Sequence, residues 1–261
     1  MIAVGERING MYSDVKKAIQ KSDPVPIQEL AKRQTEAGAT FLDINVGPAA
    51  ADKVAAMRWL VEVTQDAVDT PLSIDSQTFD VVRAGLEAYN GKALINSTKG
   101  DAELLQKYFD LAGEFDASLV VLTMDERGVP ANTDTRVEIA ATAATMAMEA
   151  GFNTDRLYID PIVLPVNVAQ DQPRCIFEAI DQIKILSDPP PHVIVGLSNI
   201  SQSTKERELI NRTFLVMAIA AGLDAAIMDV LDDDLMEAAI TADMILNKHI
   251  YCDSFLKAYR K

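Results

Sequence analysis

The chain has 261 residues, 49% hydrophobic and 24% charged, with a net charge of −15, two cysteines and two histidines. That is globular composition with room for one large barrel or two small domains. The acidity argues against nucleic acid or an anionic membrane surface as a general electrostatic partner, no run approaches the roughly 20 apolar residues of a bilayer span, and His192 and His249 are too few for a histidine-rich metal hydrolase site.

In chain order, strand signals fall at 2–6, 40–46, 72–75, 93–97, 118–124, 157–163, 193–199 and 224–229. Helical patterns follow them at about 25–38, 51–68, 78–89, 101–114, 134–150, 173–187, 208–221 and 232–247, with an extra short helix near 12–20. Asp101 and Asp232 suit helix N-caps, and Gly38, Gly151 and Gly222 suit helix stops. Eight strand–helix alternations predict a parallel sheet, and at this length a closed (β/α)8 TIM barrel. An open doubly wound sheet is disfavoured because no GxGxxG follows the first strand. No linker or composition shift interrupts residues 1–261, so a single domain is expected. MIAVGERING has no basic region leading into an apolar stretch, and Cys175 and Cys252 form no CxxC pair; a cytoplasmic protein is expected. Met217, Met228, Met236 and Met244 read as core filler and Trp59 as helix packing.

Barrel chemistry sits at the C-terminal ends of the strands. Polar residues cluster there: Glu6 and Asn9 after strand one, Asp43 and Asn45 in strand two, then Asp75, Asn96, Asp125, Asp160, Asn199 and Asp229. Asp125 and Asp229 read as turn-formers. Asp75, Asn96, Asp160 and Asn199 each follow an apolar strand directly, which makes them the candidate site; Asp43 and Asn45 are secondary candidates. Two carboxylates without a metal-binding histidine suit either Mg²⁺ or a flat ligand edge with paired N–H donors, such as that of a pterin. An amide like that of Asn96 both donates and accepts, which suits a mixed edge.

At these residues, GERING (5–10), LDINVGP (42–48), SIDS (73–76), LINST (94–98), YIDP (158–161) and GLSNIS (196–201) together resemble the pterin-binding barrel superfamily. That group includes dihydropteroate synthases and the methyltetrahydrofolate domain of cobalamin-dependent methionine synthase. Within it, the chain is similar to the stand-alone methyltetrahydrofolate:corrinoid/iron–sulfur protein methyltransferases of the acetyl-CoA pathway. The resemblance implies a pterin-binding barrel that passes the N5 methyl of 5-methyltetrahydrofolate to Co(I) in a separate corrinoid/iron–sulfur protein. By the same resemblance Asp75, Asn96 and Asp160 hold the pterin, Asn199 lies beside N5, and Gly196 lets the ring approach the backbone. Gln202 and Arg207 would reach the reacting end or the aminobenzoyl–glutamate tail, and homodimers are expected. Neither histidine lies in a DxHxxG motif, so the cobalamin is expected from the partner rather than from this chain. The competing expectations are a dihydropteroate synthase, which needs cations for a departing pyrophosphate, a Schiff-base aldolase using Lys99, and a non-catalytic folate-binding barrel.

Overall fold

The computed structural model describes residues 1–259. Eight parallel strands close into a barrel in chain order: β1 (Ile2–Asn9), β2 (Phe41–Asn45), β3 (Leu72–Asp75), β4 (Leu94–Lys99), β5 (Ser118–Leu122), β6 (Leu157–Asp160), β7 (His192–Gly196) and β8 (Ala225–Met228). Helices α1 (Ser13–Lys21) and α2 (Val25–Glu36) share the first connection. The others are α3 (Lys53–Gln65), α4 (Phe79–Ala88), α5 (Ala102–Glu114), α6 (Thr133–Glu149), α7 (Gln172–Ile183), α8 (Arg207–Ala220) and α9 (Asp233–Ile245). A short α10 (Phe255–Tyr259) in the tail packs on α9. The predicted TIM barrel is the fold observed.

Local chemistry places the helices as expected. Asp101 and Asp232 accept hydrogen bonds from the N–H groups of Leu104 and Leu235, each at 3.1 Å, and so cap α5 and α9. Asp52 and Asn132 do the same for α3 and α6. Gly38, Gly151 and Gly222 follow α2, α6 and α8 with φ of +95°, +68° and +106°, a backbone region that side chains disfavour.

Alternation along the strands sorts the core into two layers. Leu42, Ile74, Ile95, Val121, Ile159 and Val195 face outward into the layer shared with the helices. Val4, Leu94, Val120, Tyr158, Ile194 and Ala225 face inward and fill the barrel with a dry plug. Two residues further along the same strands come Glu6, Asn96, Asp160, Gly196 and Ile227, and the parallel register sets Asn45 beside Asp75, Asp75 beside Asn96, and Leu122 beside Asp160. The polar residues at the strand ends therefore rest on an apolar floor.

Several boundaries differ from those predicted. Strands β5, β6 and β7 end at Leu122, Asp160 and Gly196, two to three residues early. Pro161 has no N–H to extend the ladder after Asp160, and beyond Gly196 the chain curls into a single 3₁₀ turn, Leu197–Asn199. Strand β1 instead runs on to Asn9. Trp59 packs against the core, but Met217 is 51% exposed and borders an apolar groove with Phe177 and Phe214 rather than filling the interior. It stands on the outer side of α8, where helical spacing alone does not fix which face is buried.

Candidate active site

The mouth of the barrel holds a cavity of about 240 Å³. Asp75, Asn96, Asp160, Gly196 and Asn199 line it, together with Glu6, Asp43 and Ser198. Gln202 and Arg207 do not. Gln202 is exposed, its backbone N–H bound to the Asn199 carbonyl at 3.1 Å. Arg207 donates from Nε to Ser201 Oγ at 3.1 Å and from Nη2 to the Ser198 carbonyl at 3.3 Å. It borders a second cavity of about 620 Å³ that shares Glu6, Tyr12 and Ser198 with the first. Lys99 is exposed at the end of β4, and Asp125 and Asp229 close local turns by accepting the N–H groups of Arg127 and Leu231.

Internal donors fix the acids and amides. Asp43 Oδ1 accepts from Ser73 Oγ at 2.7 Å and from Asn96 Nδ2 at 3.1 Å, so Asn96 keeps its carbonyl and a second N–H free. Asn45 Oδ1 accepts the Gly47 N–H at 2.6 Å, and its amide group donates to Asp75 Oδ2. Asp160 Oδ1 accepts the Ile162 N–H at 2.7 Å. Ser198 Oγ lies 2.7 and 2.9 Å from the two carboxylate oxygens of Glu6. Each of these acids is held by at least one internal donor, and each keeps acceptor capacity to spare.

Asn199 is different. Among the described residues its carboxamide has no hydrogen bond, and it does not cap α8, which starts only at Arg207. Gly196 clears its space: a Cβ there would lie 2.9 Å from Asn199 Nδ2. The absent side chain thus makes room first for Asn199 itself.

The apolar floor governs the electrostatics, because burial disfavours the ionised form. Burial pushes Asp160 up to about 7 against the lowering effect of the Ile162 N–H. Glu6 also rises to about 7, chiefly through burial; the Ser198 hydrogen bond opposes this, and repulsion from Asp229 and Asp43 adds to it. Asp43 is raised well above the carboxylate range by burial and then by the charge of Asp75. Asp75 is raised by burial, with hydrogen bonds from Asn45 and Asp43 opposing. The cup is an acceptor-rich surface in which no lysine or arginine takes part among the described residues. Such a surface suits a ligand with several N–H groups along a flat edge.

Sequence reasoning put Asp43 in the mouth as a secondary candidate, where it lines the cavity and supports Asn96, but it passed over Ser198 and Tyr12. Glu6 was legible as a strand-one residue but was not singled out. Its signal is positional: it lies two residues beyond the inward-facing Val4.

The sequence pattern of the pterin binding enzyme family matches residues 5–229. A methylcorrinoid:tetrahydrofolate methyltransferase from Eubacterium limosum is 31% identical over 263 aligned positions, covering 100% of this chain and 97% of that protein. Methionine synthase from Mycobacterium leprae is 31% identical over 240 positions, which are 87% of this chain but 20% of the larger enzyme. Among solved structures, a Yersinia pestis DHPS with a pterine-sulfa conjugate superposes with a TM-score of 0.67 at 14% identity, covering 94% of each chain. Dihydropteroate synthase from Xanthomonas albilineans, in complex with 7,8-dihydropteroate, gives a TM-score of 0.64 at 18% identity over 95% of this chain and 92% of that one. These two likenesses establish the barrel, and the sequence matches establish the lineage: the chain belongs to the pterin binding enzyme family, on its methyltransferase branch.

Proposed function

We propose that the cup holds the pterin ring of 5-methyltetrahydrofolate and that the chain moves the N5 methyl group between this folate and the cobalt of a corrinoid on a separate protein. Asp75 and Asp160 accept the N–H donors of the ring, and Asn96 meets a mixed edge with its free carbonyl and N–H. Gly196 keeps the adjoining wall low. Arg207 gives the carboxylate tail a local cation in an acidic protein, from the cavity that adjoins the cup, and Gln202 lies on the same loop.

In the forward step Co(I) attacks the methyl carbon, the C–N5 bond breaks, and its electron pair stays on nitrogen. A neutral amine is a far better leaving group than an amide anion, so N5 must carry a proton when the bond breaks. Asn199 cannot supply that proton. Its carbonyl accepts a hydrogen bond from N5–H⁺ and favours the charged transition state over the neutral ground state. The observation that carries this reading is the convergence of Asp75, Asn96 and Asp160 on one cavity beside an unengaged Asn199 carboxamide. It is supported by the full-length similarity to the Eubacterium limosum enzyme.

In its finer form, the partner is a corrinoid/iron–sulfur protein of the acetyl-CoA pathway, the methyl runs from folate to Co(I), and one-domain subunits work as cytoplasmic homodimers. The name of the Eubacterium limosum relative gives the opposite direction, which the same geometry serves. Among the described residues no helix is long and apolar enough to cross a membrane. A dihydropteroate synthase reading fits less well, because among the described residues no cation lines the cup to receive a pyrophosphate.

The test is direct. Purified protein is mixed with 5-methyltetrahydrofolate and reduced free cobalamin, and the conversion of Co(I) to methylcobalamin is followed by absorbance. Absence of methyl transfer, with folate bound, leaves only a folate-binding barrel. Repeating the assay with a corrinoid/iron–sulfur protein, and sedimentation of the free protein, tests the partner and the dimer.

A further inference from the structure

The side chain of Arg136, on α6, is fully buried, yet no carboxylate pairs with it among the described residues. Its guanidinium donates to three neutral acceptors: Nε to the Pro161 carbonyl at 2.8 Å, Nη1 to the Asn132 carbonyl at 3.1 Å, and Nη2 to Gln172 Oε1 at 2.9 Å. Gln172 is in turn held, donating to the Ala131 carbonyl at 3.0 Å. A buried charge without a counter-ion is costly, and an apolar residue would fill the space without that cost. What the guanidinium adds is several donors in one plane, aimed at three separate segments. These are the loop before α6, the start of α7 and the turn that leaves β6.

That last turn touches the cup. Pro161 follows Asp160, and Ile162 comes next with φ of +63°. A β-branched residue in this left-handed region is a true outlier, one that survives only where its surroundings enforce it. The Ile162 N–H shares one peptide plane with the Pro161 carbonyl that Arg136 grips, and it points at Asp160 Oδ1, 2.7 Å away.

We propose that Arg136 is a positioning residue for ligand recognition: by gripping the Pro161 carbonyl it holds Ile162 in its left-handed turn, so that Asp160 is oriented toward the bound pterin. This rests on the reading of the cup as a folate site. Arg136 touches neither folate nor cobalt, and its effect passes through two backbone groups.

The experiment combines Arg136→Met with Ile162→Gly, because glycine adopts the left-handed turn without strain and needs no clamp. Folate binding is measured by calorimetry, methyl transfer to reduced cobalamin gives KM and kcat, and thermal denaturation verifies folding. Arg136→Met is expected to raise KM and Kd for methyltetrahydrofolate roughly tenfold, the scale of one lost buried hydrogen bond, with kcat at saturation nearly unchanged. Adding Ile162→Gly is expected to recover most of that loss. If Arg136→Met does not fold, Arg136→Lys replaces it, since an ammonium cannot span all three acceptors and the same rise and recovery are expected. A folded variant with unchanged KM overturns the proposal, and so does a KM defect that Ile162→Gly leaves in place. If wild-type protein binds no folate, the folate reading itself fails, whatever Arg136 does.

Discussion

Replacing Asp160 by asparagine should make the empty protein more stable and the site useless, and the stability gain should depend on pH. Asparagine keeps an oxygen for the Ile162 N–H, so the change removes little except the ionisable group. The native carboxyl is raised from 3.8 to about 7 by burial. Below about pH 4 it is protonated in both folded and unfolded chains and contributes nothing to the balance. Between about 4 and 7 the unfolded chain releases its proton while the folded chain keeps it, so stability is lost as pH rises through this window. Once both states are ionised, the rise corresponds to about 4 kcal/mol. Roughly 2–3 kcal/mol of that falls between pH 5 and pH 8, or about 5–10 °C in Tm for a chain of this size.

The assay is urea denaturation of wild type and Asp160→Asn at both pH values. Glu6 and Asp43 titrate in both proteins, so the difference between the two isolates Asp160. The expected result is a gain from Asp160→Asn that is larger at pH 8 than at pH 5. An equal gain at both would mean that Asp160 is not held protonated by its dry floor, and the account of the cup's electrostatics would be wrong.

Folate affinity should move the other way with pH. If only ionised Asp160 accepts the pterin donors, affinity falls as pH drops below about 7, approaching tenfold per unit, and calorimetry from pH 5.5 to 8 should follow that slope. Asn199→Ala removes a hydrogen bond to a charged nitrogen worth ~1.5–3 kcal/mol, so single-turnover methyl transfer should slow by roughly ten- to a hundredfold with binding less affected; weakened binding with normal chemistry would make Asn199 a positioning group. Gly196→Ala places a methyl 2.9 Å from Asn199 Nδ2 and should slow transfer by pushing that carboxamide aside. The two substitutions together should then cost no more than Asn199→Ala alone, and additive losses would show separate actions.

The barrel was legible because strands buried on both faces are continuous apolar runs, and eight of them alternate with helical patterns. The same property hid the interior of the cup. In a run such as HVIVG nothing marks which residues face inward, so Glu6 two places beyond Val4 was not singled out and Asp43 was held only as a secondary candidate. Asp75, Asn96, Asp160 and Asn199 were found because each sits where an apolar run stops. Gln202 and Arg207 came from the family resemblance rather than from a local signal, and neither lines the cup. Arg136 could not be read at all: an arginine in the first turns of a helix ordinarily faces water, and only the packing of three loops around it shows otherwise.

The bonding pattern of the cup also bears on which ligands it refuses. Asp160 Oδ1 is committed to Ile162 and Asp75 Oδ2 to Asn45, so each acid meets the ligand with its remaining acceptor capacity. A ligand that fills the cup but lacks one N–H therefore leaves a buried carboxylate oxygen without a partner. That is more expensive than losing an exposed contact, because water is excluded along with the missing donor. An analogue of methyltetrahydrofolate with hydrogen in place of the 2-amino group retains the shape and the reacting N5. It should bind more weakly by ~1–3 kcal/mol, roughly ten- to a hundredfold, with its rate at saturation largely preserved. Competitive calorimetry against the natural folate measures this. Equal affinities would mean that the ring's donor edge does not face Asp75 and Asp160, and the orientation that puts N5 beside Asn199 would have to be abandoned.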